Sequence, residues 1–169
     1  MLLRRQNLFL AFSLFLGGCS SIYSEKVRCP KTAIVAEFSK TIDFQEKTAV
    51  RTEIDSLLPE CYRDNVFLYV NFRVRMTSLR PMTGFHDPLT IKPSYFVAVV
   101  DEEGNILSRS DHELEITFAK QQTTKVSFLK IEEVIPVQKK ASIYVGFNLD
   151  ENQIAWLKKD REKGFSNHR

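Results

Sequence analysis

An unbroken alternation of side chains in residues 66–76 constrains the fold more than any other feature of the sequence. Successive side chains of a strand point to opposite faces, so this period of two predicts a strand with one buried face. The opposite face carries two aromatic residues, Phe67 and Tyr69, among polar ones. The apolar positions are Val66, Leu68, Val70, Phe72, Val74 and Met76.

The same period predicts further strands along the chain. Residues 94–100 are apolar on both faces, which is typical of a central strand. Residues 125–137 change phase between Phe128 and Leu129, and a β-bulge there would restore the pattern. The predicted strands besides 66–76 are 32–38, 48–58, 94–100, 106–118, 125–137 and 141–149.

Prolines punctuate residues 77–93, which predicts a long loop because proline cannot donate to a sheet. Residues 101–105 have the composition and length of a hairpin turn. Near the end of the chain, Asp150 and Gln153 have the spacing of a capping box. They predict a short helix whose Ile154, Trp156 and Leu157 dock on the sheets.

About seven short strands with one helix are typical of an all-β, immunoglobulin-like β-sandwich. The 13 phenylalanines suit a core in which two sheets interdigitate. We expect this domain to span residues 29–157, and residues 158–169 to form a charged carboxyl-terminal tail.

The amino terminus has the pattern of a secretory signal peptide in residues 1–18. Arg4 and Arg5 precede an apolar run over residues 8–16, which is too short for a membrane-spanning helix. Gly17 and Gly18 then supply small residues for cleavage. Residues 19–28 are expected to be a tether.

Two of the three cysteines, Cys29 and Cys61, fall in the predicted domain. A secreted chain enters an oxidising compartment, which favours a disulfide between them. Two free thiols or a redox pair are the alternatives, but no Cys-x-x-Cys spacing supports redox chemistry.

Removal of Arg4 and Arg5 with the leader lowers the formal charge from +3 to near balance. A basic stripe of the kind that binds nucleic acid is therefore not expected. Composition and charge do not set the oligomeric state.

The segment Leu16-Gly17-Gly18-Cys19 resembles the lipobox of bacterial lipoproteins. This resemblance implies lipidation of Cys19 and, with serine at position 20, sorting to the outer membrane on its periplasmic side. The motifs CPKTAIVAEF, YFVAVVDEEGNIL, EEVIPV and YVGFNLDENQIAW resemble an uncharacterised family of alphaproteobacterial lipoproteins. That resemblance implies an anchored all-β domain with a cysteine pair, and it implies no catalytic residues.

Candidate chemistry is sparse in this sequence. His112 shares the predicted inward side of its strand with Leu114 and Ile116, which favours a structural histidine at the edge of the core. His86 and Asp87 are neighbours in the predicted loop and offer one alternative function, a small periplasmic hydrolase or metal-dependent enzyme. A structural spacer without a dedicated ligand is a third possibility. No glycine-rich phosphate loop or serine elbow is present, so no catalytic residue, metal or cofactor is predicted.

The remaining candidate is a partner surface at Phe67 and Tyr69, since exposed apolar area often marks a binding site. The alternative is that the long loop or the helix covers both rings. The sequence therefore predicts a lipid-anchored, non-catalytic binding or envelope-assembly module. Its partners would be the membrane, through the anchor, and another envelope protein.

Overall fold

The structure is a computed structural model that describes residues 25–45, 48–82 and 87–166, with side chains as far as residue 162. The predicted all-β fold with a carboxyl-terminal helix is confirmed, although the described strands number eleven instead of about seven. The elements are β1 Glu25–Val27, β2 Lys31–Ile34, a 3-10 helix Ala36–Phe38, β3 Lys40–Gln45, β4 Thr48–Arg63, β5 Phe67–Leu79, β6 Leu89–Ile91, β7 Ser94–Asp101, β8 Ile106–Glu113, β9 Ile116–Phe118, β10 Thr124–Pro136, β11 Ala141–Phe147 and α1 Glu151–Ser166.

Two sheets form the sandwich. The long sheet has the order β1-β4-β5-β10, and β3 also pairs with β4. The second sheet has the order β2-β11-β7-β8, so that β7 lies in its interior as predicted. Among the described pairs only β2 and β11 run parallel. Strands β6 and β9 form a separate ribbon.

The core lies between the inner faces of the two sheets. The alternation in β5 is confirmed from Val70 to Met76, whose inward residues are buried. Burying each such side chain contributes about 1.5–3 kcal/mol. Their buried partners in the second sheet are Tyr95, Val97, Val99, Ile143, Val145 and Phe147. The inward position predicted for Val66 is wrong, because Val66 precedes β5 and is 59% exposed.

A β-bulge in β4 changes which side chains face the core. The register with β5 shifts between Ile54 and Ser56, so Ile54 is buried while Leu58 is 51% exposed. Alternation through residues 48–58 predicts that Leu58 shares the inward face of Val50 and Ile54. That prediction is wrong, since the extra residue moves later side chains to the opposite face. After the bulge, Cys61 takes the inward position.

The bulge predicted between Phe128 and Leu129 is also wrong. Strand β10 pairs with β5 along its full length without a register shift. Ile131 and Ile135 are buried, and Phe128 instead points to the outer face with 63% of its surface exposed.

The prediction of one long loop over residues 77–93 is wrong because β5 continues to Leu79 and β6 begins at Leu89. Residues 106–118 form two strands instead of one. The chain leaves the second sheet after Glu113, and β9 then pairs with β6. Ile91, Ile116 and Phe118 bury their side chains in a second apolar cluster with Val50.

The predicted strand over residues 32–38 ends early. The chain turns into the 3-10 helix, and Phe38 packs edge-on against Phe96 with ring centroids 6.0 Å apart. This packing depends on Gly146, where an added Cβ would lie 2.8 Å from the Phe38 Cβ and 2.9 Å from the Phe96 ring.

The disulfide between Cys29 and Cys61 is confirmed, with the two Cα atoms 5.2 Å apart. Cys61 lies in β4 opposite Val27 of β1, so the bridge fastens the start of the domain to the middle of the long sheet. Closing a loop with a sequence separation of 32 residues stabilises the fold mainly by restricting the unfolded chain.

Asp150 and Gln153 form the predicted capping box. The Gln153 N–H donates to Asp150 Oδ1 over 2.8 Å, and the Asp150 N–H donates to Gln153 Oε1 over 2.9 Å. The Gln153 side chain also donates to the Ile42 carbonyl over 2.8 Å, which joins α1 to β3. The helix continues to Ser166, well past Leu157, and Asp160 forms an ion pair with Arg51 at 3.6 Å.

Asp43 of β3 is half-buried beside this helix start, and its Oδ2 has no hydrogen-bond partner among the described residues. Burial, together with the nearby charge of Asp150, raises the pKa of Asp43 to about 6. A raised carboxyl pKa means that the folded chain binds the proton more tightly than the unfolded chain.

We therefore expect the stability contributed by protonated Asp43 to be complete below about pH 3.8 and lost as the pH rises through about 6. Asp43→Asn should remove this slope and raise the free energy of unfolding at pH 7.5 by about 1–2 kcal/mol, a value reduced for solvent screening. Urea unfolding between pH 4 and 7.5 measures both effects. The surface variant Glu37→Gln should keep the wild-type slope, and a wild-type slope in Asp43→Asn would contradict the assignment.

Candidate functional site

The outer face of the long sheet carries the predicted partner residues. Phe67 and Tyr69 point away from the core, and Phe67 is 38% exposed while Tyr69 is half-buried. The described helix contacts β3, which pairs with the opposite side of β4, so it does not cover these rings. The two rings pack edge-on at 6.4 Å.

Asp64, in the turn between β4 and β5, fixes the position of these aromatic residues. Its Oδ1 accepts the N–H groups of Val66 and Phe67 over 2.7 and 2.6 Å, and its Oδ2 accepts the Tyr69 hydroxyl over 2.9 Å. The hydrogen bond from the Phe67 N–H, followed by that from Val66, lowers the pKa of Asp64. The hydrogen bond to Asp64 in turn raises the pKa of Tyr69.

Apolar side chains from both strands surround this turn. Register places Tyr69 opposite Val134, and the Val137 N–H donates to the Val66 carbonyl over 2.9 Å. Val66 and Val134 are 59% and 48% exposed. We call this set the hairpin patch, which consists of Val66, Phe67, Tyr69, Val134 and Val137.

A shallow cleft adjoins the hairpin patch along the same face and has a volume of about 480 Å³. Two cross-strand rows of side chains line it. One row carries carboxylates on both sides of Asn71, and the next row carries Arg73 beside Lys130. The outer-face lining residues are Leu58, Glu60, Asn71, Arg73, Lys130 and Glu132.

The arginines of this region do not form a continuous basic patch. Arg75 forms an ion pair with Asp55 at 3.5 Å. Arg80 is buried, and its Nη1 donates to the Asp87 carbonyl over 2.7 Å. The outer face therefore combines an apolar end with alternating charges, like the core and polar rim of a protein interface.

His112 lies at the edge of the core on the inward side that the sequence predicts, opposite buried Tyr95. It is exposed, stacks on Tyr95 with ring centroids 5.1 Å apart, and its Nε2 lies 2.9 Å from Ser110 Oγ. The ring is exposed because β8 is the edge strand of the second sheet among the described strands. Asp111 points elsewhere, toward Asn148 and Arg109, as adjacent strand residues must.

Glu133 joins this region from β10. Burial raises the pKa of Glu133, while His112 and a hydrogen bond with Ser110 oppose that shift. The contact of Glu133 with Ser110 and His112 joins β10 to β8 at one side of the sandwich.

Glu133 has the same phase as buried Ile131 and Ile135, and a charged residue at such a position was the signal that the sequence offered. The Asp-Asn pair at residues 64–65, which is a common turn signal, would have pointed to Asp64.

Several predicted residues fall outside the described part of the chain. Cys19 and His86 are among them, so lipidation and the alternative enzyme remain predictions. Asp87 lies in the described part of the chain, and its backbone carbonyl accepts a hydrogen bond from Arg80. Within the described residues, no group of three or more His, Cys, Asp or Glu side chains is placed to hold a metal ion.

Comparison with protein-family models, with curated proteins and with solved structures found no match. Across residues 25–45, 48–82 and 87–166, no helix has both the length and the apolar character needed to cross a membrane.

Proposed function

We propose that this chain is a lipid-anchored, non-catalytic binding module of the bacterial envelope that docks another envelope protein on the hairpin patch. The anchor would be Cys19, at the periplasmic side of the outer membrane. The observation that carries the proposal is the Asp64 turn, which holds an exposed aromatic pair in one orientation.

The disulfide supports the compartment in this proposal. Disulfides persist in the periplasm and are rare in the reducing cytosol. A bridge between Cys29 and Cys61 therefore agrees with export by the leader in residues 1–18 and with processing before Cys19.

The arrangement of the outer face supports protein binding. A preorganised aromatic pair costs less conformational entropy on binding than mobile side chains do. Tyrosine and phenylalanine are also enriched in protein interfaces, where a polar rim surrounds an apolar centre. In this chain the charged cleft beside Arg73 supplies such a rim.

Photo-crosslinking in intact cells tests the proposal. A benzophenone amino acid in place of Phe67 should yield a discrete adduct with another envelope protein, which mass spectrometry identifies. Adding Val66→Asp to the same chain should reduce the adduct by about tenfold or more, because a charge would be buried without a partner.

The matched control places the photo-crosslinker at Phe44, which is 51% exposed on β3 and lies outside the hairpin patch. Only the variant at Phe67 should yield the adduct. An identical adduct from both positions, or none from Phe67 in a folded and anchored protein, would contradict the proposal.

A further inference from the structure

Strand β10 presents a long free edge. It is the terminal strand of the long sheet and pairs with β5 alone among the described strands. Helix α1 lies toward the other side of this sheet, against β3. Strand β9 approaches β10. No described strand forms a ladder with the second edge of β10, so that most of its backbone is open for pairing.

The direction of the free backbone groups follows from two hydrogen bonds at the ends of the β5–β10 ladder. The Val137 N–H donates to the Val66 carbonyl, and the Arg80 N–H donates to the Thr123 carbonyl. Since the register is uninterrupted, the odd-numbered residues of β10 bond to β5. The even-numbered residues therefore direct their N–H and C=O groups to the free edge, except that Pro136 supplies only its C=O, and their side chains lie on the outer face.

This edge is more regular than the other long edge, and Lys130, Glu132 and Pro136 protect it only in part. Strand β8, at the edge of the second sheet, carries charged Arg109, Asp111 and Glu113 and has a register shift at Val99 and Val100 of its neighbour β7. By contrast, β10 is regular. Exposed Val126, Phe128 and Val134 lie on its outer face, and natural proteins rarely leave such a strand unpaired.

The β10 sequence is complementary to itself in one antiparallel register. With Ile131 opposite Ile131 of a second copy, Lys130 faces Glu132 and Phe128 faces Val134, each twice by symmetry. A slip of two residues in one direction places Lys130 opposite Lys130, and a slip in the other places Glu132 opposite Glu132. Since like charges directly opposite are destabilising, charge selects the first register.

The neighbouring rows strengthen this selection. Arg73 lies beside Lys130 on the outer face, and Glu60 and Asn71 lie in the row of Glu132. In the matched register, the cationic row of one copy continues into the acidic row of the other. Even-numbered residues also face each other, which aligns their free N–H and C=O groups for hydrogen bonding.

We propose that two copies of this chain pair antiparallel through β10, with the two-fold axis at Ile131, and form one continuous sheet across the dimer. Pairing would place Phe128 of each copy beside Val134 of the other and so enlarge each hairpin patch. This inference stands independently of the proposed function, because it rests on the free edge and its charges.

Charge reversal tests the dimer. The protein is purified as the cell makes it, in mild detergent, and its mass is followed by sedimentation velocity up to about 100 μM. Wild type should reach the dimer mass. Lys130→Glu and Glu132→Lys should each raise the dissociation constant by about tenfold or more, because attraction becomes repulsion at both symmetric pairs.

Two combinations separate pairing from unfolding. An equimolar mixture of Lys130→Glu with Glu132→Lys should recover the dimer as a heterodimer, and the double variant in one chain should recover the homodimer. The matched control, Lys40→Glu, disrupts an ion pair with Glu53 between β3 and β4, on the other side of the long sheet from β10, and should leave the dimer intact.

The register has its own readout. Under mild oxidation, a mixture of Lys130→Cys and Glu132→Cys chains should form a disulfide-linked dimer, whereas Lys130→Cys alone should crosslink at least about tenfold less, since only directly opposed residues bring Cα atoms within disulfide range. Three results would overturn the proposal: a monomer at every concentration, an open-ended polymer, or a dimer whose dissociation constant is unchanged by both charge reversals.

Discussion

Replacing both Cys29 and Cys61 with alanine is expected to lower the free energy of unfolding by about 3–4 kcal/mol. The bridge closes a loop with a sequence separation of 32 residues, so its loss gives the unfolded chain much more freedom. Cys61 is also buried in the core, and truncating it adds a packing cost. Urea unfolding measures the change, and the slope of the transition should increase because the unfolded chain exposes more surface.

Reduction of the wild-type protein is the matched control for this prediction. Reduced wild type keeps both sulfur atoms. The difference in the free energy of unfolding between reduced wild type and the double alanine variant therefore measures the packing contribution without the covalent link. Equal stability of oxidised and reduced wild type would contradict the role given to the bridge. Two alkylatable thiols in freshly extracted protein would contradict the compartment as well.

Cys19→Ser is expected to abolish incorporation of labelled palmitate and to leave the leader uncleaved. The serine hydroxyl has none of the thiolate character that makes cysteine a nucleophile, so the thioether cannot form. Each buried CH₂ of an acyl chain contributes about 0.8 kcal/mol to membrane binding, and loss of several chains removes stable anchoring. Metabolic labelling and gel mobility of the precursor measure the result.

The double variant of Cys29 and Cys61 serves as the control here, because it should retain the label at Cys19. Normal cleavage of Cys19→Ser, together with retention in membranes after alkaline washing, would show that the anchor lies elsewhere.

The sequence predicts best those strands that have one face toward solvent and the other face toward the core. Residues 70–76 and 143–147 follow the alternation closely, and their inward side chains are buried. The capping box at Asp150 is local, so its side chain and backbone partners are readable within four residues. The disulfide was predictable because the domain has two cysteines and a secreted chain is expected to enter an oxidising compartment.

The failures share a physical cause. Alternation assumes that apolar residues face the core, but Phe128 and Val134 of β10 lie on the outer face of a free edge. With apolar residues on both faces, the period cannot distinguish a bulge from an exposed patch. The bulge of β4 between Ile54 and Ser56 depends on pairing with β5 and has no local signal, so alternation alone places Leu58 on the wrong face.

The candidate site was only partly predictable for a related reason. Phe67 and Tyr69 were found by their phase against the core. Asp64, which orients them, acts through hydrogen bonds to two N–H groups and a hydroxyl, and periodicity carries no information about such contacts. The self-complementary register of β10 could not be found from the sequence. It depends on the observed pairing of β10 with β5, which determines that the even-numbered residues face the free edge.

The bridge from Cys29 to Cys61 also determines how the domain would respond to tension from its amino-terminal end. A pull on that end first loads the three residue pairs between β1 and β4 and then reaches a covalent bond. Extension stops at Cys29, and the load passes into β4 as shear along its ladder with β5. Strand β2 and the second sheet are thereby shielded from mechanical unravelling.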